Sequence, residues 1–162
     1  LRLTNADIKR LGIVIDGDRA HIDRKQKPKP VTVKVPVVQW DAKIIPGGVW
    51  IQIPFPPPSL NVWKNWHWSK QAEFKTELAE AIRLLAIERR LSQFHQARIE
   101  ITHYFKTKRR RDTDNYCQKF IGDALVRAGI LNDDNTELVE VPEPVLKVDK
   151  ERPRTEIFVY EK

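Results

Sequence analysis

Apolar and polar residues alternate with the period of a strand over Val49, Ile51, Ile53 and Phe55, and the prolines at 56–58 end the run. Phe74, Leu78, Ile82 and Leu85 then repeat at helical spacing, which predicts a long helix from a Ser69 cap to about Leu91 with that stripe in the core. Ala97, Ile99, Ile101 and Phe105 return to strand period, and Ile121, Ala124, Leu125 and Ala128 mark the inner face of a second helix. Leu138, Val139 and Val141 begin a third strand, Val145–Val148 extends it past Pro142 and Pro144, and Ile157–Tyr160 forms the last, after a turn at Arg152-Pro153-Arg154. The order strand, helix, strand, helix, strand, strand predicts an α+β sheet domain over residues 49–162.

Residues 1–48 read as an appendage. Thr4 to Leu11 predicts two helical turns stopped by Gly12. Ile13-Val14-Ile15 and His21-Ile22 predict a hairpin turning at Asp16-Gly17-Asp18, for which a turn is a better explanation than metal binding. Residues 24–36 form a basic, proline-containing linker that could lie along phosphates but is read in preference as a solvated tether.

Composition narrows the partners. A net charge of +7 favours a polyanion, most simply nucleic acid. The single cysteine, Cys117, rules out an internal disulfide framework and suits a reducing, cytoplasmic compartment; its helical position reads as core. No apolar run is long enough to span a bilayer, so no membrane is expected as a partner. No signal peptide is read at the start, and the absence of methionine implies that residues precede Leu1.

The densest chemistry lies between residues 109 and 134. Arg109, Arg110 and Arg111 run directly into Asp112-Thr113-Asp114-Asn115, and Asp133-Asp134 closes the segment. Carboxylates at i and i+2 on one side of a strand end can hold a Mg²⁺ ion, which takes oxygen ligands and keeps several waters. Arginines would oppose a bare cation but suit a phosphate-bearing substrate, so metal and phosphodiester together account for both signs. Each residue also has an ordinary explanation. Asp114 or Asn115 could cap the helix from Tyr116 to Ala128, Asp123 could pair with Arg127, and Gly129 to Asn135 could be a helix stop and turn. Upstream, Asn61, Trp63, Lys64, Trp66, Trp68 and Lys70 interleave rings with amides and cations, as nucleic-acid surfaces do, although tryptophan also fills cores. His67 has no partner at metal spacing and receives no catalytic role.

Asp112-Thr113-Asp114-Asn115, Lys119, Asp123-Ala124-Leu125, Gly129 and Asp133-Asp134, with Pro57-Pro58-Ser59-Leu60-Asn61 upstream, resemble in order the signature of the RusA family of Holliday junction resolvases. One departure is that Lys119 stands five residues after Asp114, where the family more commonly has four. The resemblance implies a mixed β-sheet with two main helices (β-α-β-α-β-β) and a Mg²⁺-dependent endonuclease, with Mn²⁺ as the alternative ion, acting on branched DNA in recombination and repair. It implies Asp112, Asp114 and Asp134 as metal ligands with Asp133 in support, and Lys119 at the scissile phosphate. Arg109, Arg110, Arg111, Asn61, Trp63, Lys64 and Lys70 would hold the DNA. Since the family is dimeric, a homodimer is expected, with assembly of each site across two subunits as a weaker alternative. The alternatives in function are a non-catalytic basic nucleic-acid-binding module and a metal-dependent nucleotide phosphohydrolase; the absence of a glycine-rich phosphate loop disfavours the latter.

Overall fold

The computed structural model describes residues 13–16, 19–22, 38–116, 118–133, 135 and 137–162. The helix expected over residues 4–11, the tether at 24–36, the turn residues Gly17 and Asp18, Cys117 and Asp134 lie outside the described residues. The chain divides into two compact units, 1–34 and 35–162. In the first, β1 (Ile13–Asp16) pairs antiparallel with β2 (Arg19–Ile22), with Asp16 opposite Arg19, as the hairpin pattern predicts.

The second unit is one mixed sheet with helices, the α+β class expected. Its strands are β3 (Asp41–Ile45), β4 (Gly48–Ile53), β5 (Ala97–Phe105), β6 (Val139–Glu140), β7 (Val145–Val148) and β8 (Arg154–Glu161). They lie in the order β3-β4-β8-β5-β6, and β7 follows β6 along the same side of β5. The pairs β3–β4, β4–β8 and β8–β5 are antiparallel, whereas β6 and β7 run parallel to β5. Pro142 and Pro144 divide what the sequence predicts as a continuing strand, because proline brings no N–H to a ladder.

The sequence pattern opens the body at residue 49, yet Asp41–Ile45 is a strand of the same sheet, joined to β4 through Pro46-Gly47. Gly48 sits where β4 and β8 come so close that a Cβ would collide with the Val159 carbonyl, so no other residue fits the register.

Among the described residues, three α-helices accompany the sheet: α1 (Leu60–Lys64), α2 (Trp68–Arg89) and α3 (Lys119–Arg127). The short α1, which the pattern misses, is capped by Ser59, whose Oγ accepts from Val62 N. The cap of α2 is His67 rather than Ser69: its Nδ1 accepts from the Ser69 amide. Leu78, Ile82 and Leu85 of the predicted stripe are buried, together with Ala79, and Phe74 is half-buried against them. They meet Phe120, Ile121, Ala124 and Leu125 of α3 and the inward residues of β4, β5 and β8. α3 ends in a Schellman arrangement, with Gly129 N donating to Val126 O and Ile130 N to Leu125 O, both at 3.0 Å, and Gly129 at φ +77°.

Candidate active site

β5 carries Ile99, Ile101, His103 and Phe105 inward, and its exit begins the charged segment. Arg111 shapes that exit. Its Nη1 donates to Thr107 O at 2.8 Å and Arg109 O at 3.1 Å, its Nη2 to Thr107 Oγ1 at 3.2 Å, and its guanidinium lies 4.0 Å from the Phe105 ring centre. Arg111 therefore folds the loop over β5. Its neighbours face water: the Arg110 side chain is 95% exposed, its Nε 3.9 Å from Asp112 Oδ1, and Arg109 is exposed. All three arginines and Lys147 line a shallow basic cleft floored by Phe105, Leu146 and Val148.

Asp112 is extended (φ −95°, ψ 133°), and Thr113–Asn115 form a single 3₁₀ turn. The acids thus lie on a turn rather than at a strand end. The turn is tied to the β6–β7 connection by Thr113 Oγ1 donating to Glu143 Oε2 at 3.4 Å and Gln118 Nε2 donating to Pro142 O. Tyr116 anchors it from below, 4.9 Å from the Phe105 ring and 6.0 Å from that of His103. The helix expected from Tyr116 starts later, at Lys119, and its cap position, Gln118, makes no side-chain cap bond. Neither Asp114 nor Asn115 caps α3, and Asp112, at the cap position of the 3₁₀ turn, makes no side-chain cap bond there, so helix capping does not employ either carboxylate.

Asp123 is likewise not paired with Arg127. Its Oδ2 lies 3.5 Å from Lys75 Nζ of α2, and its Oδ1 lies 3.9 Å from Lys119 Nζ. Asp123 thus sits between two ammonium groups, nearer to Lys75 and at the outer limit of an ion pair with the exposed Lys119. Lys75 comes from 48 residues upstream and leaves no local signal in the sequence.

After Gly129 the chain turns back: Phe94 N bonds to Ile130 O, Asn132 N to Phe94 O, and the Asn135 carbonyl accepts from Leu138 N and Val139 N to launch β6. The loop holding Asp133 therefore leads into the same strand edge to which the Asp112–Asp114 turn is tied. Among the described residues, no three His, Cys, Asp or Glu side chains converge as a metal-holding group. Asp112 and Asp114 are exposed oxygen donors of the kind Mg²⁺ takes, and one or two carboxylates suffice when water and phosphate complete the shell. The donor chemistry fits a divalent cation.

A comparison with protein families matches residues 54–160 to Endodeoxyribonuclease RusA. The chain belongs to the RusA family. A comparison with curated proteins finds no match. Every residue from Asn61 to Asp134 singled out above falls inside the RusA match, and endodeoxyribonuclease activity comes with membership. No helix among the described residues is long and apolar enough to cross a membrane.

Within this RusA domain the tryptophan-rich stretch divides. Trp63 is half-buried, 5.0 Å from the Phe120 ring, with its Nε1 buried and unpartnered; Trp66 meets Phe74 edge-on at 5.7 Å. Trp68 alone of the three stands 73% exposed. Asn61, Lys64 and Lys70 are on the surface, Lys70 with its Nζ 4.3 Å over Trp66.

Proposed function

We propose that the protein is a divalent-metal-dependent, structure-selective endonuclease that hydrolyses phosphodiesters at four-way and other branched DNA junctions in recombination and repair. The observation that carries this is the pairing of Asp112 and Asp114, exposed on one turn with neither carboxylate making a cap bond, and with solvent-facing Arg109 and Arg110 beside them. Family membership supports the junction as substrate. Asp112, Asp114 and Asp134, with Asp133 in support, would hold Mg²⁺ or Mn²⁺. Bound there, the ion would supply an activated water and stabilise the departing oxygen.

The chain's own groups do the remaining work. Arg109 and Arg110 neutralise backbone phosphates and set the strand against the turn. Lys119, steered by Asp123, presents an ammonium to the scissile phosphate or the leaving oxygen. The protein would act as a homodimer in a cytoplasmic compartment, two-fold symmetry suiting a junction cut on two strands.

Labelled synthetic four-way junctions, incubated with Mg²⁺ or with chelator, test this. Cleavage should require the metal, and Asp112→Asn or Asp114→Asn should abolish it while junction affinity stays equal or tightens, since a repelling charge is gone. Cleavage retained by a folded Asp114→Asn protein overturns the assignment. Junction binding without cleavage under any divalent metal would instead mark a non-catalytic binding module.

A further inference from the structure

We propose that the cleft between the start of α2 and the end of α3 is a stacking subsite for one unpaired base of the DNA substrate. This rests on the endonuclease function above and adds a determinant of substrate shape. The cleft measures about 290 Å³ and is lined by Trp63, Trp68, Gln71, Lys75, Thr76 and Arg127. That is just below the range of roughly 300–1,000 Å³ typical of sites for drug-sized ligands. It is large enough to take one planar base.

Its chemistry is that of a single-strand contact. Trp68 exposes 73% of its surface at the first turn of α2, and the His67 ring, 5.4 Å away, backs it. An indole held open to water offers a π-face on which any base can stack. Two cations flank it. Lys75 Nζ lies 5.3 Å from the Trp63 ring centre and 3.5 Å from Asp123 Oδ2, so its position is fixed from two sides. Arg127, exposed in the last turn of α3, joins no ion pair among the described residues, which leaves its guanidinium for a phosphate.

The cleft is also in line with the site. Lys119, Asp123 and Arg127 succeed each other at i, i+4 and i+8 on one face of α3, so Arg127 lies about 12 Å along the axis from Lys119 at 1.5 Å per residue. A strand whose scissile phosphate meets Lys119 therefore passes the cleft within a few nucleotides. Linear duplex has no free base to place there; a junction opened at its crossing point has.

Equilibrium binding in chelator, where no cleavage confounds the result, tests the subsite with the whole chain. The probes are a four-way junction, a linear duplex of matched sequence, and the same duplex carrying one unpaired 2-aminopurine. Trp68→Ala should weaken junction and bulge binding about tenfold while changing duplex binding less than about twofold. Trp68→Phe should retain most of the affinity, and wild-type protein should quench the 2-aminopurine where Trp68→Ala does not. Equal loss on all three probes, or no loss on any, overturns the subsite, and the unfolding midpoint should not move because Trp68 is exposed. A wild-type protein that neither prefers nor cuts the junction defeats the endonuclease assignment instead, a result read without any Trp68 variant.

Discussion

His103 brings an imidazole to an inward position of β5 between Ile101 and Phe105, fully buried. Thr155 Oγ1 donates to Phe55 O at 3.0 Å, so at 2.9 Å it accepts the His103 Nδ1 proton, leaving Nε2 as a buried acceptor with no partner. Burial lowers its pKa to about 4 from 6.5. Above pH 6.5 the folded and unfolded chains are both neutral here and stability is undiminished. Between pH 6.5 and 4 the unfolded chain takes a proton that the folded chain refuses, and stability should fall by about 3 kcal/mol before levelling. Denaturant midpoints across that range should show the fall, and His103→Asn should flatten it. A second prediction separates the arginines. Replacing Arg109 and Arg110 with alanine should flatten the salt dependence of DNA affinity by roughly one unit of slope for each phosphate no longer neutralised. Arg111→Ala should instead loosen the loop, lowering the unfolding midpoint. These roles were not legible in the sequence, because three adjacent arginines look alike until one is seen to donate to Thr107. His103 was missed because histidine breaks an apolar alternation that the backbone in fact continues.

The elements were legible where burial imposes a period. β5 buries every second residue from Ala97 to Phe105, and α2 and α3 bury the stripes that their spacing predicts. β3 shows no such period, since Ala42 is its one buried residue and Ile44 is 63% exposed. The five-residue α1 is too short for a helical repeat, and Ser59 is its main sequence signal. The end of α2 carries a testable strain. Arg90 closes it at φ +53°, ψ +49°, with Leu91 N bonded to Ala86 O at 2.9 Å, a left-handed geometry that glycine adopts without steric conflict. Arg90→Gly should stabilise the fold by about 1 kcal/mol, measured as a raised denaturant midpoint, with DNA cleavage unchanged.

At the scale of the whole molecule, the sequence posed a distance problem. A helix from Tyr116 to Ala128 would carry Asp133 far from Asp112. The observed α3 has nine residues, and the chain then reverses at Gly129 into β6, which runs back toward Glu143. That shortens the return. Mixing Asp112→Asn with Asp134→Asn protein separates the cases. Sites confined to one chain should stay inactive in every combination, whereas sites shared across a dimer should regain one active centre per mixed pair. The two margins of the sheet also differ in what they offer a neighbouring chain. Beyond β6 and β7, Pro142 and Pro144 interrupt the ladder at two residues that have no amide proton, so an incoming strand would find a broken template. That margin resists the runaway strand addition that leads to aggregation. On the function proposed above, that margin can stay uncovered and face DNA.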